Sequence, residues 1–249
     1  SSATEIWEKL LLHGVEKKSF HCVNGSFSKR FYEFAQYVQK QPIAYTVNDG
    51  QGIDIDKLSI PANTELICTT QNETSTGAFM RSEDLTILKQ RYPNSLLCSD
   101  LVSIAPYSKI DYTHLDASFF SVQKAFGMPP GLGVWIVNQA FIEKAREVKS
   151  KGYPVGAHNT IESFVKYYAS YETPSTPNVI AIYLLGKIAE EMNAIGIENI
   201  RASIDKKAHL LYTLLEESTQ VSAFVKEKIF QSPTVAVLNT KGISAPIIE

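Results

Sequence analysis

Short apolar runs alternate with amphipathic stretches along this chain, and that alternation limits the fold more than any other feature. Strand-like runs stand at 19–25 (SFHCVNG), 43–47 (IAYTV), 65–70 (ELICTT) and 96–100 (LLCSD). Helical spacing separates them. After Ser2, the residues Ile6, Leu10 and Leu11 repeat on one face, with Gly14 as a stop. Phe27, Phe31, Phe34, Ala35 and Val38 mark the buried face of a second helix, and a third is expected over about 82–91. Strands alternating with helices predict an α/β fold with a mostly parallel sheet.

Further along, FFSV (119–122) and GVWIV (133–137) flank a loop around Lys124 and are expected to pair like a hairpin. A helix is expected from about 139 to 151. Residues 153–177, rich in Pro, Tyr, Ser and Thr, read as a long functional loop with one helical stretch at 161–169. Two amphipathic helices are predicted at about 178–195 and 201–218, and a strand at 234–239 (TVAVLN). The expected division is a large domain over 1–200 and the start of a smaller α+β domain over 201–249. The chain opens on a helix without a preceding strand or a signal-peptide pattern. Its last strand has nothing to cover it, so the expectation is a segment of a longer protein, lacking the N-terminal part of the large domain.

Composition narrows the function. With 44% hydrophobic and 20% charged residues the chain reads as an ordinary soluble protein. A net charge of −2 carries no basic footprint for nucleic acid, and no apolar run is long enough for a bilayer. Cys22, Cys68 and Cys98 sit in apolar strand-like runs without metal-ligand spacing, which points to a reducing cytoplasm rather than a disulfide framework. None of the five histidines has metal or triad spacing, and His158 is the one worth testing. Arg81 and Lys109 could meet an anionic substrate.

Two residues suggest chemistry. Lys124 ends an apolar run and precedes Gly127-Met128-Pro129-Pro130-Gly131-Leu132-Gly133. A lysine at a buried strand end is expected to be partly desolvated, which favours the neutral, nucleophilic amine. The Gly/Pro run lets the backbone turn closely beside a ligand. Asp100 ends an earlier strand, at the sheet edge where α/β folds bind ligands; a turn cap is the ordinary alternative.

The run SVQKAFGMPPGLG, preceded by a strand ending in Asp, resembles the class V, fold-type I aminotransferases dependent on pyridoxal 5′-phosphate, over nearly the whole chain. Gln123-Lys124 is similar to the aminotransferase branch; the cysteine desulfurases carry His before the lysine. The resemblance implies a three-layer αβα PLP-transferase large domain, with the cofactor held covalently on Lys124 as a Schiff base and its ring nitrogen paired with Asp100. Ser2-Ala3-Thr4 resembles a phosphate cup at a helix N-terminus, giving Ala3 and Thr4 a phosphate role; a capping box between Ser2 and Glu5 is the alternative. Phe27 matches an aromatic position that stacks on the cofactor, usually Trp, with plain core packing as its rival. Gln123 is assigned to the phosphate. Asn72-Glu73-Thr74 resembles the Asn-Glu-Thr of the phosphoserine branch, where the threonine meets the phenolic oxygen. Thr173 matches a residue that reaches the phosphate of a neighbouring subunit, although Glu172 stands where that segment has Asn.

The resemblance further implies a cytoplasmic homodimeric transaminase acting on an amino acid and a 2-oxo acid, most like the phosphoserine branch. The rivals are an alanine–glyoxylate or serine–glyoxylate type and a non-catalytic cofactor-binding portion.

Overall fold

A computed structural model describes residues 2–241. Its centre is a six-stranded sheet built from β1 (Ser19–Val23), β2 (Ile43–Thr46), β3 (Leu66–Thr70), β6 (Leu96–Asp100), β7 (Ala117–Ser121) and β8 (Gly133–Val137), in the order β2-β1-β3-β6-β7-β8. Between β3 and β6 lie two short strands, β4 (Asn72–Glu73) and β5 (Ala78–Phe79), which pair with each other. The first five strands of the sheet run parallel. Only β8 is antiparallel, folded back on β7 from Ala117↔Val137 to Ser121↔Gly133, the hairpin-like pairing expected around Lys124.

Side chains of the central strands divide between two faces, as the two-residue strand repeat requires. Leu66, Cys68, Cys98 and Phe119 pack against α1 (Ala3–Gly14), α2 (Ser26–Tyr37) and α4 (Gln139–Ser150). On the other face Phe20, Cys22, Ile67 and Leu97 meet α3 (Ser82–Arg91) and the segment carrying Ile53, Ile55, Leu58 and Ile60. This makes three layers, αβα. The three cysteines are buried and form no disulfide.

Beyond the sheet, α5 (Ile161–Tyr168) occupies the predicted helical stretch. Next come α6 (Val179–Ile195) and α7 (Ile197–Glu217), and the second begins earlier than the expected residue 201. Gly196, at φ +88°, breaks one helix and starts the next. The expected strand at 234–239 forms only in part: β10 covers Leu238–Thr240 and pairs antiparallel with β9 (Val221–Ala223). Residues before it are taken by other bonds. Thr234 donates its hydroxyl to the Ser103 carbonyl at 2.7 Å, and the Ser232 hydroxyl accepts from the amides of Thr234 and Val235. No described helix is long and apolar enough to cross a membrane.

Two histidines are core residues. His13 donates from Nδ1 to the Lys9 carbonyl (2.8 Å) and accepts the Ile161 amide at Nε2 (3.3 Å), so its neutral ring is fully used. Burial pushes it down to about 4, and pushes His21, edge-on to Phe31 and Tyr32, down to about 3. With folded values below the unfolded 6.5, the stability tied to the neutral rings is whole above pH 6.5 and is lost as pH falls through 4 and 3. Each histidine is expected to cost about 2 to 3 kcal/mol by about pH 4.5. Thermal unfolding followed from neutral to acid pH checks this, and His21→Leu should flatten the fall; an equally steep loss in that variant would refute the assignment.

Candidate active site

The parallel strands β3, β6 and β7 end side by side at Thr70, Asp100 and Ser121, where the register pairs Thr70 with Asp100 and Asp100 with Phe119. Over this edge lies a cleft of about 170 Å³, lined by Ser2, Ala3, Thr4, Trp7, Phe27, Thr70, Asn72, Thr74, Asp100, Val102, Ser121, Gln123 and Lys124. Ala3, Thr4, Phe27, Thr74, Asp100, Gln123 and Lys124, each singled out in the sequence, thus meet in one place. Thr173 does not. It is exposed in a turn after α5, with its hydroxyl donating to the Ser175 carbonyl at 2.8 Å.

Asp100 is the buried end of the cleft, 4% exposed. Its Oδ1 accepts the Val102 amide at 2.8 Å, closing the turn after β6, while Oδ2 accepts the indole N–H of Trp7 at 3.2 Å. Asp100 thus caps the turn and also lines the cleft. Desolvation pushes the carboxyl up to about 7 against these two bonds, and the charge of Glu73 adds to the rise. Trp7, missing from the sequence expectations, sits one helical turn beyond Ala3 and stacks on Phe31 at 5.6 Å. A buried indole N–H needs an acceptor, and this is the signal that could have found it.

The start of α1 also lines the cleft. Ser2 makes no side-chain cap there, so the capping box with Glu5 does not form. The Ala3 amide instead donates to Ser121 Oγ at 3.0 Å, from the end of β7. Gly133 lets this happen: a Cβ there would lie 2.9 Å from the Ser2 carbonyl carbon. The helix N-terminus is in this way clamped against β7 and β8, with its dipole directed at the cleft.

Lys124 stands in the turn that leaves β7, held by the Gly127 amide bonding to the Lys124 carbonyl (2.9 Å) and by Gly127 at φ +63°. Its side chain is exposed, which corrects the expected desolvation: β7 stops at Ser121, and Gln123, Lys124 and Ala125 project beyond the packed edge. Phe27 is also exposed, at 42%, because the buried face of α2 runs through Ser28, Phe31 and Ala35. It is a wall of the cleft and not core. Thr74 lies in the turn between β4 and β5.

Asn72 adds a tie to the later part of the chain. Its Nδ2 donates to Ser103 Oγ (2.8 Å) and Thr234 Oγ1 (3.3 Å). Arg81 and Lys109 lie elsewhere, paired with Asp84 (2.6 Å) and Glu198 (2.8 Å) beside a separate cavity against α7. His158 is exposed and uses its carbonyl to accept Lys9 Nζ.

Known proteins share this sequence pattern and this fold. The model of the family described as aminotransferase class-V matches residues 36–248. A crystal structure of a phosphoserine aminotransferase from Cytophaga hutchinsonii superposes with a TM-score of 0.96 at 43% identity, covering 99% of this chain and 68% of that one. An alanine–glyoxylate aminotransferase from Nostoc shares the fold, with a TM-score of 0.86, 21% identity and coverage of 99% and 67%. A phosphoserine aminotransferase of Corynebacterium glutamicum is 24% identical over 99% of this chain, which spans 65% of that relative's length. The chain therefore belongs to the class-V aminotransferase family.

Proposed function

We propose that this chain carries the cofactor pocket of a pyridoxal 5′-phosphate-dependent transaminase that interconverts 3-phosphohydroxypyruvate and glutamate with phosphoserine and 2-oxoglutarate. The observation that carries the reading is the convergence of Ala3, Thr4, Phe27, Thr74, Asp100, Gln123 and Lys124 on one cleft. The donor set fits the cofactor: a helix start for a phosphate, a buried acid, a hydroxyl, a flat ring and an amine. When bound, the cofactor supplies an electron sink for the carbanion left once an amino acid loses its Cα proton.

Each residue then has a task. Lys124 would hold the cofactor through Nζ and, once the substrate's amine has taken its place, the freed Nζ would move a proton between the substrate's Cα and the cofactor's C4′ carbon. Asp100, oriented by Trp7 and the Val102 amide, keeps the ring nitrogen protonated. Thr74 donates to the phenolic oxygen, Phe27 stacks on the ring, and Thr4 and Gln123 hold the phosphate beside Ala3, whose amide is already given to Ser121 Oγ. Thr173 belongs to the phosphate site of a second copy in a homodimer. The cofactor-binding unit runs through α6, and the expected boundary near residue 200 moves to the break at Gly196, where α7 opens the smaller unit, in a cytoplasmic enzyme.

The identity of 43% to a phosphoserine aminotransferase favours that substrate. A second reading, an alanine–glyoxylate or serine–glyoxylate type, draws on the same cleft, in which Lys124 is the sole cation among the described lining residues. Mixing the cofactor-loaded full chain with phosphoserine, serine or alanine in single turnover separates them. Phosphoserine is expected to bleach the visible cofactor band fastest; a faster reaction with alanine or serine would overturn the substrate assignment.

A further inference from the structure

Glu73 is wholly buried beside the cleft, and no cation pairs with it among the described residues. What surrounds it instead are donors from two segments. Its Oε2 accepts the amide and hydroxyl of Ser28, both at 2.8 Å, and its Oε1 accepts the Ser75 amide (3.1 Å), the Ser75 hydroxyl (2.7 Å) and, at 3.4 Å, the Phe27 amide. Ser75 Oγ in turn accepts the Ser26 amide at 2.9 Å. The carboxylate therefore supplies the cap that the start of α2 lacks, since its N-cap residue, Gly25, has no side chain to offer. Gly25 is itself required there: a Cβ would overlap the Glu73 side chain.

The two segments joined in this way carry Phe27 and Thr74, both of which line the cleft. We propose that Glu73 is a positioning residue that fixes Phe27 and Thr74 relative to each other, so that both can contact one planar ring. The inference rests on the cofactor reading above. A pure helix cap would stabilise α2 without affecting a ligand. A positioning residue must also set how well the ring is held.

Glu73→Gln keeps the size and one acceptor oxygen but turns the other into a donor facing amide N–H groups. In the full chain it is expected to speed hydrogen exchange at the amides of Phe27, Ser28 and Ser75, and to weaken pyridoxal 5′-phosphate, titrated by its visible absorbance, about tenfold. Ser75→Ala, which removes one donor from the same carboxylate, should weaken it less and serves if Glu73→Gln does not fold. Faster exchange with wild-type cofactor affinity would make Glu73 a structural cap only and overturn the proposal, as would no change in either. A wild type that binds no cofactor would instead fail the functional reading.

Discussion

Lys124→Ala is expected to abolish the visible absorbance band of the cofactor-loaded protein and to reduce turnover at least about 10⁴-fold, because one side chain is both the covalent anchor and the proton carrier. The fold should not notice. Lys124 is exposed in a turn shaped by backbone bonds and by Gly127, and a surface truncation of that kind changes stability within about 0.5 kcal/mol. The contrast gives the test its force: absorbance and single-turnover kinetics collapse while thermal unfolding of the cofactor-free protein stays put. A variant that keeps the visible band would remove Lys124 from the mechanism. A wild type that stays colourless on addition of pyridoxal 5′-phosphate would remove the cofactor.

Asp100→Asn is expected to lower turnover between about 10²- and 10³-fold by withdrawing the charge that stabilises a protonated ring nitrogen. Stability should respond in the opposite sense. The carboxyl is pushed up to about 7 by burial, above its unfolded value of 3.8, so its contribution is full below pH 3.8 and is lost as pH rises through 7. In the cofactor-free protein the ionised form then costs on the order of 4 kcal/mol above neutrality. Asn cannot ionise, but its amide must face either the Val102 amide or the Trp7 indole donor-to-donor, which returns about 1–3 kcal/mol.

The difference in stability between the variant and the wild type should therefore grow with pH from 4 to 8, whatever the histidines do in both. A difference that does not vary with pH would mean that Asp100 is not titrating in this range. Cofactor binding places an opposite charge beside the carboxylate and should pull its value back down, so the wild type gains more from the cofactor at about pH 8 than the variant does.

Much of the fold was legible in the chain because it is written in short-range pattern. Apolar runs at 65–70 and 96–100 became β3 and β6, and the pair flanking Lys124 closed into the antiparallel β7–β8. Errors fell where local pattern and long-range contact compete. Phe27 fits the apolar repeat of α2, yet the buried face runs through Ser28, Phe31 and Ala35 and leaves Phe27 on the cleft. The run 234–239 has strand composition, but Thr234 and Val235 bond to Ser103 and Ser232, leaving only its end to pair.

Local pattern set the order of the main strands and helices, and a family resemblance supplied the motif around Lys124 and the site residues expected with it. The first depends on periodicity within a few residues, the second on the match to a known motif. Tertiary structure alone decided how those residues are held. Trp7 orients Asp100 from 93 positions away, Ser121 takes the Ala3 amide where the capping box was the alternative reading, and Glu73 caps a helix from another segment. It also left Lys124 open to solvent, where the sequence promised a desolvated amine. A buried donor or acceptor must find a partner, but only the packing of distant segments determines which one it meets.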